Sequence, residues 1–180
     1  MLFRSRLEGD GPGLSEFRQR LASLSEQGHR LYLPFYLGRL AEIELSRSGP
    51  DAALGSIEAA QGQARDTGQR AFDAFLKGLR GEALLASGRA DAAERALHSS
   101  IEIARRQGAR SYVLLTSLSL AKLYQSTGRP AEAHGVLAPA LEGYSPTPET
   151  PEIAEAQALL ERLAHGGDGA IPAKDPATKG

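Results

Sequence analysis

The sequence predicts an all-α protein built from antiparallel helix pairs that repeat every 40 residues. Apolar residues make up 41% of the chain but aromatic residues only 6%, so the core must consist mainly of leucine and alanine, both strong helix formers. Runs of β-branched residues, which favour strands, are absent. The third observation is an internal repeat, which is typical of stacked helical units.

The repeat begins with a motif in which glycine is followed two residues later by arginine. It occurs as Gln27–Arg30, Thr67–Arg70 and Gln107–Arg110. After each copy the same kinds of residue recur: an aromatic at Tyr32, Phe72 and Tyr112, a large apolar residue at Phe35, Phe75 and Leu115, a small residue at Ala41, Gly81 and Ala121, an alanine at Ala53, Ala93 and Ala133, and a large apolar residue at Ile57, Leu97 and Leu137.

Each period contains two signals that end a helix. Glycine at 28, 68 and 108, and again at 49, 88 and 128, is suited to the left-handed conformation that follows a helix. Pro50 and Pro130 come directly after the second signal, where proline fits the first turn of a new helix. Because the connections are short, neighbouring helices must be antiparallel. The predicted helices span 14–27, 30–48, 50–67, 70–87, 90–107, 110–127, 130–143 and 151–164.

The apolar pattern predicts an inner and an outer layer of helices. The helix at 110–127 is apolar on more than one face, as is typical of a helix packed between neighbours. The helix at 90–107 has one apolar stripe opposite a charged face, which predicts an outer position. The helix at 151–164 also has a single stripe and is predicted to close the stack.

The repeat register predicts different organisation at the two ends of the chain. It places Met1 at the small-residue position, so residues 2–7 correspond to the last turns of an inner helix and the first repeat is incomplete. The outer helix at 14–27 would then lack most of its partner. Because uncapped repeat ends expose apolar surface, we expect Phe17, Leu21 and Leu24 to be only partly covered and to dock another domain or a second copy of the chain. Residues 1–164 are predicted to form one helical repeat domain, and 165–180, rich in Gly, Pro, Asp and Lys, a disordered tail.

The spacing of Gly81, Ala93 and Leu97, repeated at Ala121, Ala133 and Leu137, resembles that of the tetratricopeptide repeat. The resemblance covers about residues 28–164 and implies a right-handed superhelix with a concave groove. Two features depart from that family: the period exceeds its usual ~34 residues, and its consensus Trp and final Pro are missing. HEAT and armadillo repeats have periods nearer 40, but the small–small–large spacing fits the tetratricopeptide pattern better.

A narrower resemblance concerns the segments Leu79–Glu82, Ile103–Gly108 and Gly128–His134. They are similar to the C-terminal helical arm of large bacterial signalling ATPases of the adenylate-cyclase-linked or transcriptional-activator type. The sequence has no G-x-x-x-x-G-K-[ST] phosphate loop, so the resemblance implies a regulatory or scaffold role and no inherited activity. The alternative is an effector-sensing arm that binds a small ligand and signals to a partner domain.

In tetratricopeptide proteins the residues after the small inner position face the groove, which here implies Glu42, Glu82 and Lys122. Helical spacing places other polar and apolar residues near them. The alternative is that these side chains are solvated or pack within the stack. The complete predicted groove consists of Phe35, Arg39, Glu42, Phe75, Lys77, Glu82, Leu115, Lys122 and Gln125.

Composition and motifs argue against several functions. The net charge is −1 with both signs interspersed, whereas nucleic-acid binders usually carry a basic excess. There is no cysteine, and the four histidines form no pair at metal-binding spacing. No serine lies in a nucleophile elbow. The first residues lack the apolar core of a signal peptide, and no apolar run approaches the roughly 20 residues of a membrane helix.

From these observations we expect a cytoplasmic protein that is not an enzyme, binds no cofactor, metal, nucleic acid or membrane, and interacts with a protein or peptide partner or with an adjacent domain of a larger regulator.

Overall fold

The computed structural model describes residues 11–28 and 30–166, and over these residues the fold is all-α. The described residues form eight helices and no strand. In chain order the helices are α1 (Gly11–Glu26), α2 (Leu33–Arg47), α3 (Pro50–Thr67), α4 (Asp73–Ala86), α5 (Ala90–Arg106), α6 (Arg110–Ser126), α7 (Pro130–Leu141) and α8 (Pro151–Gly166).

Glycine ends the helices because it adopts positive φ at low cost. Gly88 and Gly128, after α4 and α6, have φ of +75° and +73°. A closing hydrogen bond typical of such ends then satisfies a carbonyl that the helix leaves unpaired. It recurs every 20 residues, with the N–H groups of Arg89, Ala109 and Arg129 donating to the carbonyls of Leu84, Ala104 and Tyr124 at 2.9, 2.9 and 2.8 Å.

The predicted starts of α2 and α4 are three residues too early. Residues 30–32 and 70–72 instead form turns, closed by bonds from Leu33 N–H to the Arg30 carbonyl and from Asp73 N–H to the Arg70 carbonyl. Tyr32 at the start of α2 has φ +63°, a left-handed conformation that no α-helix contains. The apolar periodicity continues through both turns, and for this reason the prediction from the pattern began both helices too early.

The helices form two layers. Consecutive helices pack against each other, and the even-numbered helices also contact one another in the order α2, α4, α6 and α8. No two odd-numbered helices of the described chain bring their Cα atoms within 8 Å. The even helices therefore form a continuous inner layer, and the odd helices lie outside it with their Cα atoms further apart.

Close packing of the layers depends on small residues at the helix contacts. A Cβ atom on Gly81 of α4 would lie 2.5 Å from Cδ2 and 2.6 Å from Cγ of Leu97 on α5. Gly78, one turn earlier, faces the hydroxyls of Ser100 on α5 and Thr116 on α6. Ser100 Oγ lies 2.7 Å from the Ala74 carbonyl oxygen, to which it donates, and 3.1 Å from Thr116 Oγ1, so buried polar atoms are paired where three helices meet.

The N-terminal helix is covered more fully than the incomplete repeat suggests. Leu21 is only 3% exposed because it packs between Leu33 and Leu40 of α2, so the expectation that it is partly covered is wrong. Phe17 is half-buried against the same cluster, and Leu24 is 37% exposed.

An ion pair also fixes α1 to α2. Arg18 Nη2 lies 2.7 Å from Oε1 of Glu44, whose side chain is 2% exposed. Two elements of the sequence interpretation, the inner-helix turns at 2–7 and nearly all of the tail at 165–180, lie outside the described residues. Only the first two tail positions are described, and they belong to α8.

Candidate functional site

A groove lies on the inner layer, and all four even helices line it. Its volume is about 260 Å³. Leu97 of α5 contributes to the floor from the outer layer. The floor is mainly apolar and the polar groups surround it. The lining includes the apolar Phe75, Leu79, Tyr112 and Leu115, the polar Ser119, and the charged Arg39, Glu42, Glu82, Lys122, Glu152 and Glu155.

Six of the nine residues predicted for the groove line it: Arg39, Glu42, Phe75, Glu82, Leu115 and Lys122. The other three lie elsewhere. Lys77 lines a separate depression beside Gln61 and Arg70, because it is two residues from Phe75 and therefore on a different helix face. Phe35 is half-buried and packs its ring on Phe75 at 6.0 Å between centroids. Gln125 is exposed in the last turn of α6 and is not part of the lining.

The sequence pattern did not predict five other lining residues: Leu79, Tyr112, Ser119, Glu152 and Glu155. The two glutamates of α8 lie 40 residues after Tyr112 and Leu115. Extending the repeat register by one more copy would therefore have placed Glu155 in the groove, because its equivalent Leu115 was predicted there, whereas the equivalent of Glu152 is the unpredicted Tyr112. The single apolar stripe of α8 predicted a closing helix, and the polar face of α8 was therefore not assigned to the groove.

Acidic groups outnumber basic groups in the groove by four to two. Each basic group is paired: Arg39 with Glu42 of the same helix, and Lys122 Nζ with Glu155 Oε1 at 2.6 Å. Glu82 Oε1 accepts a hydrogen bond from the neutral hydroxyl of Ser119 at 3.1 Å. In the described part of the chain no cation lies within ion-pair distance of Glu82. The groove thus has a net negative charge.

Burial raises the pKa of Tyr112 above its ordinary value of 10.0; Glu42 raises it further and Arg39 opposes the rise. The phenol is therefore neutral throughout the physiological range, and it presents the groove with a hydroxyl and a ring but no charge.

A track of aromatic rings leads from the surface of α2 into the groove. Neighbouring rings in it are 5.4–6.2 Å apart between centroids, within the range of favourable ring pairs. Its outer members, Tyr32 and Tyr36, are 54% and 43% exposed. Its inner members, Phe75 and Tyr112, line the groove. We call this set the aromatic track; it consists of Tyr32, Phe35, Tyr36, Phe72, Phe75 and Tyr112.

A second polar cluster joins α5, α6 and the start of α7. Tyr124 Oη donates to Glu94 Oε1 at 2.9 Å, and His98 Nε2 lies 2.7 Å from the same hydroxyl. Since the phenol has one proton and gives it to Glu94, His98 Nε2 must carry a proton of its own and donate it. Arg129 binds Glu94 through two nitrogens at 2.9 and 3.1 Å and stacks on the Tyr124 ring at 4.2 Å. Arg129 also pairs with Glu132 at 2.6 Å.

The pKa values in this cluster favour a structural role. Burial raises the pKa of Tyr124 to about 12, and the hydrogen bond to Glu94 raises it in the same direction. Hydrogen bonds from Arg129 lower the pKa of Glu94 and of Glu132. At neutral pH the cluster therefore consists of a neutral phenol, ionised carboxylates and a guanidinium, the ionisation states in which its hydrogen bonds are strongest.

Among the described residues, no three His, Asp or Glu side chains are placed to hold a metal ion. No described helix is both long enough and apolar enough to cross a membrane. No protein-family model matches the sequence, and no curated protein matches it significantly.

Proposed function

We propose that this protein is a non-catalytic interaction module that binds a segment of another protein in the groove of its inner layer. The observation that carries the proposal is the groove itself, which all four inner helices line with an apolar floor and charged surroundings. A regulatory or scaffold role, as in the arms of signalling ATPases, and a cytoplasmic location stay predictions from the sequence.

A tetratricopeptide-like superhelix with a 40-residue period is part of this proposal. It is supported by the equal burial of residues 40 positions apart, because equivalent positions of stacked repeats face equivalent neighbours. The small inner residues, the alanines of the outer helices and the large residues one turn after them are buried in every copy: Ala41, Gly81 and Ala121; Ala53, Ala93 and Ala133; Ile57, Leu97 and Leu137.

The size of the groove favours a protein segment over a small effector. Sites that enclose a drug-sized ligand have volumes of about 300–1,000 Å³, and this groove, at about 260 Å³, is smaller. It extends over four helices, so it can hold a few side chains of a longer segment whose backbone lies across its mouth. The effector-sensing alternative would require a more enclosed pocket.

Selection of short random peptides on the immobilised full chain tests this function. We expect a common motif among the selected peptides. Ser119→Trp should abolish their binding, because the indole ring would fill the groove from the α6 side. His134→Trp adds the same ring to the exposed face of α7 and should leave binding unchanged. If no peptide is enriched, or if Ser119→Trp binds as the unmodified chain does while remaining folded by circular dichroism, the proposal is wrong.

A further inference from the structure

We propose that the groove and the aromatic track together recognise a cationic segment, in which Lys or Arg side chains are interspersed with leucine or aromatic side chains. The inference rests on the proposed function and specifies the chemistry of the partner. Two independent features carry it: the acidic excess of the groove and the exposed tyrosines that lead into it.

The acidic excess of the groove includes a carboxylate, that of Glu82, which a partner can neutralise. Arg39 and Lys122 are each paired with another glutamate of the groove. Among the described residues, Glu82 has only the Ser119 hydroxyl as a hydrogen-bond partner. A Lys or Arg side chain of a bound segment would supply the missing cation, and binding it would replace a hydrogen bond to a neutral group by a stronger charge-assisted one. An anionic segment would instead meet the net negative charge of the groove.

The aromatic track favours cations by a different interaction. The faces of aromatic rings attract Lys and Arg side chains, and Tyr32 and Tyr36 are exposed at the outer end of the track. The protein already uses this contact twice, with Arg110 5.0 Å from the Tyr144 ring centroid and Arg129 4.2 Å from that of Tyr124. Tyr32 also holds a left-handed conformation that is costly for a bulky side chain. Strained residues of this kind cluster at functional sites.

The apolar floor determines what else the segment must contain. Phe75, Leu79 and Leu115 line it, and covering them from water requires apolar side chains. A segment that presents both kinds of side chain to the groove would place its apolar side chains on the floor and its basic side chains against the carboxylates around it. Nucleic acid does not fit, because its phosphates would be repelled by the same carboxylates.

The peptide selection described above also tests this inference. Among the enriched peptides we expect Lys or Arg next to leucine or aromatic residues. A labelled copy of the most enriched peptide is then titrated by fluorescence anisotropy. The double variant Glu82→Gln/Glu155→Gln should weaken its binding about three- to ten-fold, and raising the salt concentration should reduce the difference. Tyr36→Leu, which keeps an apolar side chain but removes the aromatic face, should weaken binding about two- to five-fold.

The matched control is Glu58→Gln/Glu102→Gln, which removes the same charge from exposed positions of the outer helices α3 and α5 and should leave the affinity unchanged. If peptides are enriched but contain no excess of Lys and Arg, the cationic segment is refuted while the peptide-binding function stands. Equal weakening by the groove variant and its control would refute the role of the groove carboxylates. If no peptide is enriched, the proposed function itself fails.

Discussion

Gly81 lies at a close approach of α4 to α5, and its replacement by alanine tests the packing of the stack. In a helix interior, Gly→Ala normally stabilises by about 1 kcal/mol. Here the new Cβ would lie 2.5 Å from Leu97 Cδ2, whereas carbon atoms in contact are normally about 3.5–4.0 Å apart. Leu97 is fully buried and its backbone nitrogen would lie 3.4 Å away, so the neighbour cannot move aside freely. Overpacking of this kind costs about 1–3 kcal/mol.

We therefore expect Gly81→Ala to lower the free energy of unfolding by about 1 kcal/mol, the balance of these two effects. Gly55→Ala in α3 and Gly135→Ala in α7 are the controls, because apart from the backbone of its own helix a Cβ at either position would have no atom of the described residues within 4 Å. In each control the free energy of unfolding should rise by about 1 kcal/mol. Urea unfolding followed by circular dichroism measures all three variants.

The double variant Gly81→Ala/Leu97→Ala should lose about 0.5–3 kcal/mol less free energy of unfolding than the sum of the losses in the two single variants. A gain in stability for Gly81→Ala equal to that of Gly55→Ala would refute the reasoning, since it would mean that α4 and α5 can separate without loss.

Three further predictions concern the polar contacts. Arg18→Ala leaves the buried carboxylate of Glu44 without its cation and should lower the free energy of unfolding, measured in urea, by about 1–3 kcal/mol. Adding Glu44→Leu should recover most of this loss, and a double variant no more stable than Arg18→Ala would contradict the role of the pair. Tyr124→Phe removes the hydroxyl that donates to Glu94 and should cost about 1 kcal/mol, measured in the same way. The pKa of Glu94 is lowered from 4.5, first by Arg129. The stability from this pair is therefore fully present above about pH 4.5 and is lost as the pH falls through the folded-state pKa. Arg129→Gln should accordingly be less stable than the unmodified chain near neutral pH, and the stabilities of the two proteins should become equal in acid. A difference in stability that does not change with pH would show that the pair of Arg129 and Glu94 is not its source.

Much of the fold could be predicted because its signals are local. Glycine ends helices through its own backbone freedom, so the predicted ends of α3, α5 and α6 lie within one residue of the observed ones. The starts of α2 and α4 could not be predicted, because Tyr32 and Phe72 continue the apolar pattern although the backbone there forms a turn.

Residues of the groove could be predicted where their spacing along one helix places them on the same face. Residues i, i+3, i+4 and i+7 of α4 face the same way, and Phe75 and Glu82 line the groove accordingly. The ion pair of Arg18 and Glu44 had no such signal. Its partners are 26 residues apart, and the equivalent positions in the other copies are Leu84 and Tyr124. Only the tertiary packing of α1 on α2 brings a guanidinium to a carboxylate that the pattern would have made apolar.

The Cα atoms of the odd-numbered helices of the described chain stay more than 8 Å apart, and this spacing has a mechanical consequence. When one helix pair tilts against the next, the inner contacts act as the pivot, and the ion pair of Glu94 on α5 with Arg129 at the start of α7 is an outer contact that opposes the tilt. We therefore expect the stack to deform more easily in the direction that widens or narrows the groove than within each pair, where Gly81 and Leu97 are in close contact. A bound segment that pushed the inner helices apart by a small amount would change the distance between α1 and α8 by the sum of these tilts. The distance between these two helices would then depend on what the groove contains.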